Sequence, residues 1–168
     1  MNVKVKMIAS VRDHVLADLR RPHAFAYERV GFLSAVVGNR SGESLLVFLV
    51  DYLPVPDEYY IEDAGVGARI NSAAIRIAMQ YVLDNPGKGV FHVHLHDWRG
   101  RPSYSHTDRQ EIPPIVESCR NVGPNAAHGM LVLSRDKADC TVWTPFSPTP
   151  VIADRITVIG HPLRFLEK

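Results

Sequence analysis

Cysteine is scarce in this sequence: Cys119 and Cys140 are the two present among 168 residues. Two thiols so far apart exclude a disulfide framework and a cysteine-rich structural metal site, and they suit a reducing compartment. Long apolar runs are missing too. No stretch of about 18 consecutive apolar residues occurs, so no membrane-spanning helix is expected. A charged-then-apolar leader is absent, which makes the cytoplasm the expected compartment. Charge of one sign is also lacking, since 19 Lys and Arg oppose 18 Asp and Glu for a formal net charge of +1. A balance that close gives no argument for nucleic acid or an anionic membrane as a partner. Internal repeats and low-complexity segments are absent.

What is present is apolar content, 46% of the chain, enough for one well-buried core but too little length for two ordinary domains. One domain over residues 1–168 is expected. Val3, Val5 and Met7 alternate with Lys4 and Lys6, which predicts a half-exposed strand near a sheet edge. Ser10 reads as the cap of a helix carried by Val11, Val15, Leu16 and Leu19 and stopped at Arg21-Pro22. Residues 28–37 and 44–53 predict a hairpin with its turn at 38–42, and the acid- and proline-rich stretch 54–63 an irregular connection. Ile70, Ala73, Ala74, Ile77, Ala78, Tyr81 and Val82 place a helix within 67–83, ended by Asn85-Pro86-Gly87. Pro113-Pro114 predict a break between a short helix and a second helical piece at 116–120. Strands are expected at 130–134 and 140–143, and residues 156–159 form a further strand or cover the sheet edge. His14 and His23 have no spaced partner and receive no role.

The chemistry concentrates in residues 92–108, HVHLHDWRGRPSYSHTD. His92, His94 and His96 alternate with Val93 and Leu95, so the period of a strand turns all three imidazoles to one face. Neighbours at i and i+2 lie close enough to share one metal ion, and imidazole is the commonest protein ligand for zinc. Residues 99–102 read as a loop, and Ser105-His106-Thr107-Asp108 as the first turn of a helix on which Ser105 and Asp108 share a face. Asp108 is therefore the candidate third ligand. Two neutral imidazoles and one carboxylate leave a fourth position open, the arrangement of a catalytic zinc. Plainer readings exist for each part. The histidines can form a polar face turned to solvent, and Ser105-x-x-Asp108 a helix cap, in which Asp108 is a solvated acid and not a ligand. His92 reads as a partner that orients a ligand, or as packing; His106 reads as solvent-facing.

His94-Leu95-His96, a loop and Ser105-x-x-Asp108 together resemble the JAMM motif of the JAB/MPN metalloproteases, a family that includes zinc isopeptidases removing ubiquitin and ubiquitin-like proteins. The family also uses a glutamate just before a Gly-containing apolar strand, and Glu28 in Tyr27-Glu28-Arg29-Val30-Gly31-Phe32-Leu33 matches that place. Glu43, Glu58 and Glu62 are its rivals. The resemblance spans roughly Glu28 to Trp143. The chain looks most like stand-alone bacterial members found beside ubiquitin-like conjugation genes, which carry a similar His-x-His-Asp run and Gly-Arg-Pro loop. It differs from the usual pattern at Asp97, where proline is common, and in a loop before Ser105 that is one residue longer than in the eukaryotic enzymes. A register on His92 and His94 lengthens that loop further.

The resemblance implies the family's α/β (α+β) fold, a mixed central β-sheet flanked by helices and similar to cytidine deaminases. It implies zinc held by His94, His96 and Asp108, with a coordinated water acidic enough to deprotonate near neutral pH. It also implies Glu28 as general base and then general acid. The Ser105 hydroxyl is placed to hydrogen-bond a developing oxyanion, an effect on the order of 3 kcal/mol. The expected activity is that of a zinc-dependent isopeptidase or peptidase that processes or removes a ubiquitin-like protein. Its expected partners are that protein or its conjugates, and E1- or E2-like enzymes of the same pathway. Asp97, Trp98 and residues 99–102 either border a groove for the modifier's extended tail, bound as an added strand, or close the fold. Two other functions stand beside this one: release of an amino acid from a sulfur-carrier protein adduct, and a non-catalytic MPN-like scaffold. The full ligand set argues against the scaffold.

Overall fold

Alternation of apolar and polar side chains makes β1 (Asn2–Ile8), in which Val3, Val5 and Met7 are buried and Lys4 is exposed. Helix α1 (Ala9–Leu19) follows without a turn and buries Val15 and Leu19. Its flanking residue is Ile8, in extended conformation and without a side-chain cap, so Ser10 lies inside the first turn and not at the cap. The structure is a computed structural model that describes residues 1–22, 26–41, 43–63, 65, 67–160 and 164–166. His23 and the turn residue Gly42 lie outside the described residues.

Strands β2 (Val30–Ser41) and β3 (Ser44–Pro54) form an antiparallel hairpin whose pairing runs out to Ser41 and Ser44. A single 3-10 turn at Asp57–Tyr59 and a bridge between Tyr60 and Ile70 organise the connection that follows. Helix α2 (Ser72–Asp84) begins after residue 67 because Asn71 caps it, its side chain accepting the backbone N–H groups of Ala73 and Ala74. Gly87, at φ 86°, turns the chain into β4 (Gly89–Leu95), the histidine strand. Helix α3 (His106–Val122) leads to β5 (His128–Leu133), β6 (Ala138–Trp143), β7 (Val151–Ile152), β8 (Arg155–Ile159) and β9 (Arg164–Leu166).

Among the described residues these strands make one mixed sheet in the order β7-β6-β5-β4-β2-β3-β1-β8-β9, with parallel pairs at β1/β3, β1/β8 and β4/β5. Three α-helices flank it. β1 is therefore an interior strand, not an edge: β8 and β9 extend the sheet beyond it, and its lysines mark the open face of an inner strand. Helix α1 covers one face, where Val15 and Leu19 pack with Phe91, Val93 and Leu95. Helices α2 and α3 cover the other, packing Ala74, Ala78, Val82 and Cys119 with Val90 and Phe32.

Helix α3 runs unbroken through Pro113 and Pro114. The expected break does not occur because Ile112, Val116 and Cys119 are buried along one stripe. The carbonyls that lose an i+4 donor belong to Arg109 and Gln110, both exposed to water. Tertiary burial outweighs a local penalty of about 3 kcal/mol per proline.

Candidate metal centre

Every residue of β4 is buried, so the histidines do not form a solvent-facing strand surface. Phe91, Val93 and Leu95 point to the α1 side, while His92 and His94 point to the α2/α3 side, and His96 continues that row just beyond the strand. The His96 N–H donates to the Leu133 carbonyl at 2.9 Å, which extends the β4–β5 ladder by one step.

Glu28 reaches the same face through the neighbouring ladder. Val30 pairs with His94 across β2 and β4, so Glu28, two residues before Val30, comes level with His96. Arg29 anchors the chain there from the opposite side. Its side chain is 1% exposed, with Nη1 2.6 Å from Asp57 Oδ1 and Nε donating to the Arg21 carbonyl at 2.8 Å. The pair holds the guanidinium charged in a buried position. Glu28 itself donates its backbone N–H to the Gly67 carbonyl at 2.9 Å.

Asp108 arrives from the first turn of α3. Its N–H donates to Ser105 Oγ at 3.1 Å, and its Oδ2 accepts the Ser105 N–H at 2.7 Å, a reciprocal capping box. The same Oδ2 stands 3.4 Å from His94 Nε2 and 4.0 Å from His96 Nε2. Asp108 thus caps the helix while it faces the imidazoles, and with its side chain 16% exposed it is not the solvated acid of the plainer capping reading. A carboxylate has about four lone-pair sites, enough to serve the cap and face the imidazoles together.

Glu28 Oε1 lies 3.9 Å from His96 Nε2. Glu28, His94 and His96 each offer a ligand atom, all within 4.8 Å of one another. The imidazole pair therefore has a carboxylate on each flank. His92 Nδ1, both nitrogens of His94 and His96 Nδ1 are buried with no hydrogen-bond partner. The carboxylate contacts are to the Nε2 atoms, and a divalent cation between the carboxylates would take one nitrogen from each imidazole of the pair. The donor set fits such an ion.

Electrostatics divide the two carboxylates. Burial raises the Glu28 pKa, an effect the nearby His94 opposes and Asp108 reinforces. Burial works against ionised Asp108 as well, but His94 and the hydrogen bonds with Ser105 outweigh it and hold this acid well below the usual carboxylate range. Burial, with His94 next, pushes His96 down and His92 down to about 3, so His92 is neutral at the cleft floor.

These groups line a cleft of about 930 Å³ whose walls include Ile70 and Ile75 on one side and Ile112 and Ile115 of α3 on the other. Ser105 is exposed at its rim, with its Oγ accepting the Asp108 N–H at 3.1 Å. Trp98 stacks on His96 at 4.5 Å between ring centroids and remains 50% exposed. Asp97 pairs with Arg135 through two hydrogen bonds of 3.0 Å and lies 3.6 Å from Arg20, which ties the segment after β4 to the β5–β6 turn and α1. His106 is exposed, and Glu43, Glu58 and Glu62 do not line the cleft. Gly67, taken from sequence only as the start of a helix, instead packs against the Glu28 side chain. No local pattern signals a contact between residues so far apart in the chain. Comparison of the sequence with protein-family models and with curated proteins gives no match.

Proposed function

We propose that this chain is a zinc-dependent peptidase or isopeptidase of the JAB/MPN type that processes or removes a ubiquitin-like protein. The observation that carries this reading is the meeting of Glu28, His94, His96 and Asp108 on one cleft floor, with the Nε2 atoms of the imidazole pair 3.4 to 4.0 Å from carboxylate oxygens. His94, His96 and Asp108 would hold the zinc. When bound with an open position, zinc supplies Lewis acidity and makes water a nucleophile source near neutral pH.

The chain's own groups supply the remainder. Glu28 has a raised pKa, which suits a carboxylate that takes a proton from the attacking water and returns it to the departing amine. Asp108, kept ionised, is poorly matched to that exchange and well matched to holding a cation. Ser105 presents its hydroxyl at the rim as a donor for the oxygen that gains charge.

The test is to load the protein with zinc, incubate it with ubiquitin-like proteins that carry C-terminal extensions, and follow cleavage by mass. Zinc-dependent loss of the extension supports the reading. Stoichiometric zinc with no cleavage of any extended modifier, but release of an amino acid from a sulfur-carrier adduct, would replace the substrate. Failure to bind zinc would end it.

A further inference from the structure

We propose that Gly67 positions the Glu28 carboxylate, and that a side chain at residue 67 is excluded by that carboxylate and not by the backbone. The consequence for turnover rests on the reading of Glu28 as the proton carrier. A Cβ added at Gly67 would stand 2.6 Å from Glu28 Oε2, 2.8 Å from Cδ and 3.4 Å from Cγ. The acid therefore lies along the bare Cα of Gly67 with no room for a methyl group. The Glu28 N–H also donates to the Gly67 carbonyl at 2.9 Å, so one glycine sets both the backbone and the side chain of the acid.

The conformation of Gly67 does not itself demand glycine. Positive φ occurs among the described residues at Gly87 and Gly100, and not at Gly67. Alanine could adopt this backbone, and the three atoms nearest to its methyl group would all belong to the Glu28 side chain. The segment carrying Gly67 is braced at its base. Ile61 N–H donates to the Arg69 carbonyl at 2.8 Å, Asn71 N–H donates to the Tyr59 carbonyl at 2.9 Å, and Asn71 caps α2. Asp63 accepts from Gly65 N–H at 2.9 Å and from Arg69 at 3.2 Å. On the other side the backbone of Glu28 is pinned by buried Arg29. With both backbones held, the carboxylate end of Glu28 is the part that yields to an added methyl. A misplacement of about 1 Å in a reacting group costs on the order of 100-fold in rate.

A double-mutant cycle on the full chain tests this, pairing Gly67→Ala with Glu28→Ala. Two readouts need no activity: thermal unfolding of the metal-free protein, and the visible spectrum of the Co²⁺-loaded protein. Gly67→Ala is expected to lower the melting temperature and alter the spectrum when Glu28 is present, and to do neither when residue 28 is alanine. Effects that are the same in both backgrounds would overturn the contact. In the zinc-loaded protein acting on an extended ubiquitin-like precursor, Gly67→Ala should lower kcat about 10- to 100-fold with KM and metal content little changed. Wild-type kcat in that variant would overturn the positioning role. Should the wild-type chain cleave no such precursor, the proton-carrier reading fails, while the unfolding and Co²⁺ measurements still decide whether Gly67 positions the carboxylate.

Discussion

Glu28 Oε1 stands 3.9 Å from His96 Nε2, and strand register is the reason. Val30 and His94 are partners across β2 and β4, so the residues two places outward on each strand meet on one face, although 67 residues separate them in sequence. The ladder that delivers the imidazoles brings β2 to the same place, and beyond its last pair the Glu28 N–H donates to the Gly67 carbonyl at 2.9 Å, so the acid is held where the strand meets the segment before α2. Glu28→Gln keeps the shape and removes the proton exchange. We expect kcat to fall about 100-fold or more, with zinc still near one per chain by elemental analysis. Unchanged turnover in that variant would exclude Glu28 as the base.

Metal content should respond to a different set of residues. His94 and His96 are the buried donors, and Asp108 Oδ2 lies within 4.0 Å of both. Replacing His96 or Asp108 by alanine should release the metal, read as zinc per chain after dialysis. Stoichiometric zinc in either variant would overturn that ligand set and shift weight to Glu28 as a ligand, since its carboxylate also falls within reach of the pair.

Zinc should also stabilise the fold, because His94 and His96 face two carboxylates at a site that binds the ion only when folded. Mass action predicts a gain of about 4 kcal/mol when free zinc exceeds its Kd about 1,000-fold. The expected result is a melting temperature that rises with zinc and returns on chelation, with no such rise in His94→Ala. An equal rise in that variant would mean that the ion stabilises the protein from elsewhere.

Much of this site was legible in the sequence. The alternation of His92, His94 and His96 fixed their common face, and Ser105-x-x-Asp108 marked a helix start, because both patterns are local. The hairpin of β2 and β3 was legible for the same reason. What escaped is non-local. The place of β1 inside the sheet depends on β8 and β9, which pair beyond it only once the chain has folded. The unbroken α3 depends on burial of Ile112 and Val116, which outweighs what Pro113 and Pro114 dictate locally. The dual service of Asp108 depends on α3 starting beside β4, and the Gly67–Glu28 contact on the segment before α2 folding back over β2.

Acid should destabilise the metal-free protein through its buried neutral histidines. His128 Nδ1 accepts the Val90 N–H at 3.3 Å and Nε2 faces the Gly123 carbonyl at 2.9 Å, an arrangement that suits the neutral ring. Burial lowers its pKa, as it lowers that of His92 to about 3. A histidine whose folded pKa is depressed binds fewer protons folded than unfolded, so its stability contribution is full above the unfolded value, about 6.5, and is lost as pH falls below it. Urea unfolding at pH 7.5 and 5.5 should show lower stability at 5.5, with a slope of at most about 1.4 kcal/mol per pH unit for each such histidine. His92→Leu should flatten the slope. Stability that rises on acidification would contradict the neutral assignment.

Ser105 has two separable duties, and glycine divides them. Its oxygen accepts the Asp108 N–H at 3.1 Å, and the residue lines the rim of the cleft, where we propose that the hydroxyl turns to the substrate oxygen. Glycine at a helix N-cap costs only a few tenths of a kcal/mol relative to serine, whereas alanine costs about 1 kcal/mol. Ser105→Gly should therefore keep the melting temperature near wild type and zinc near one per chain. Loss of the hydroxyl should lower kcat about 100- to 1,000-fold, as for a missing oxyanion donor. Ser105→Ala should lose similar turnover and some stability besides. If Ser105→Gly turns over like the wild type, the hydroxyl serves the helix alone, and the charge that develops on the substrate must be met by other groups on the cleft floor.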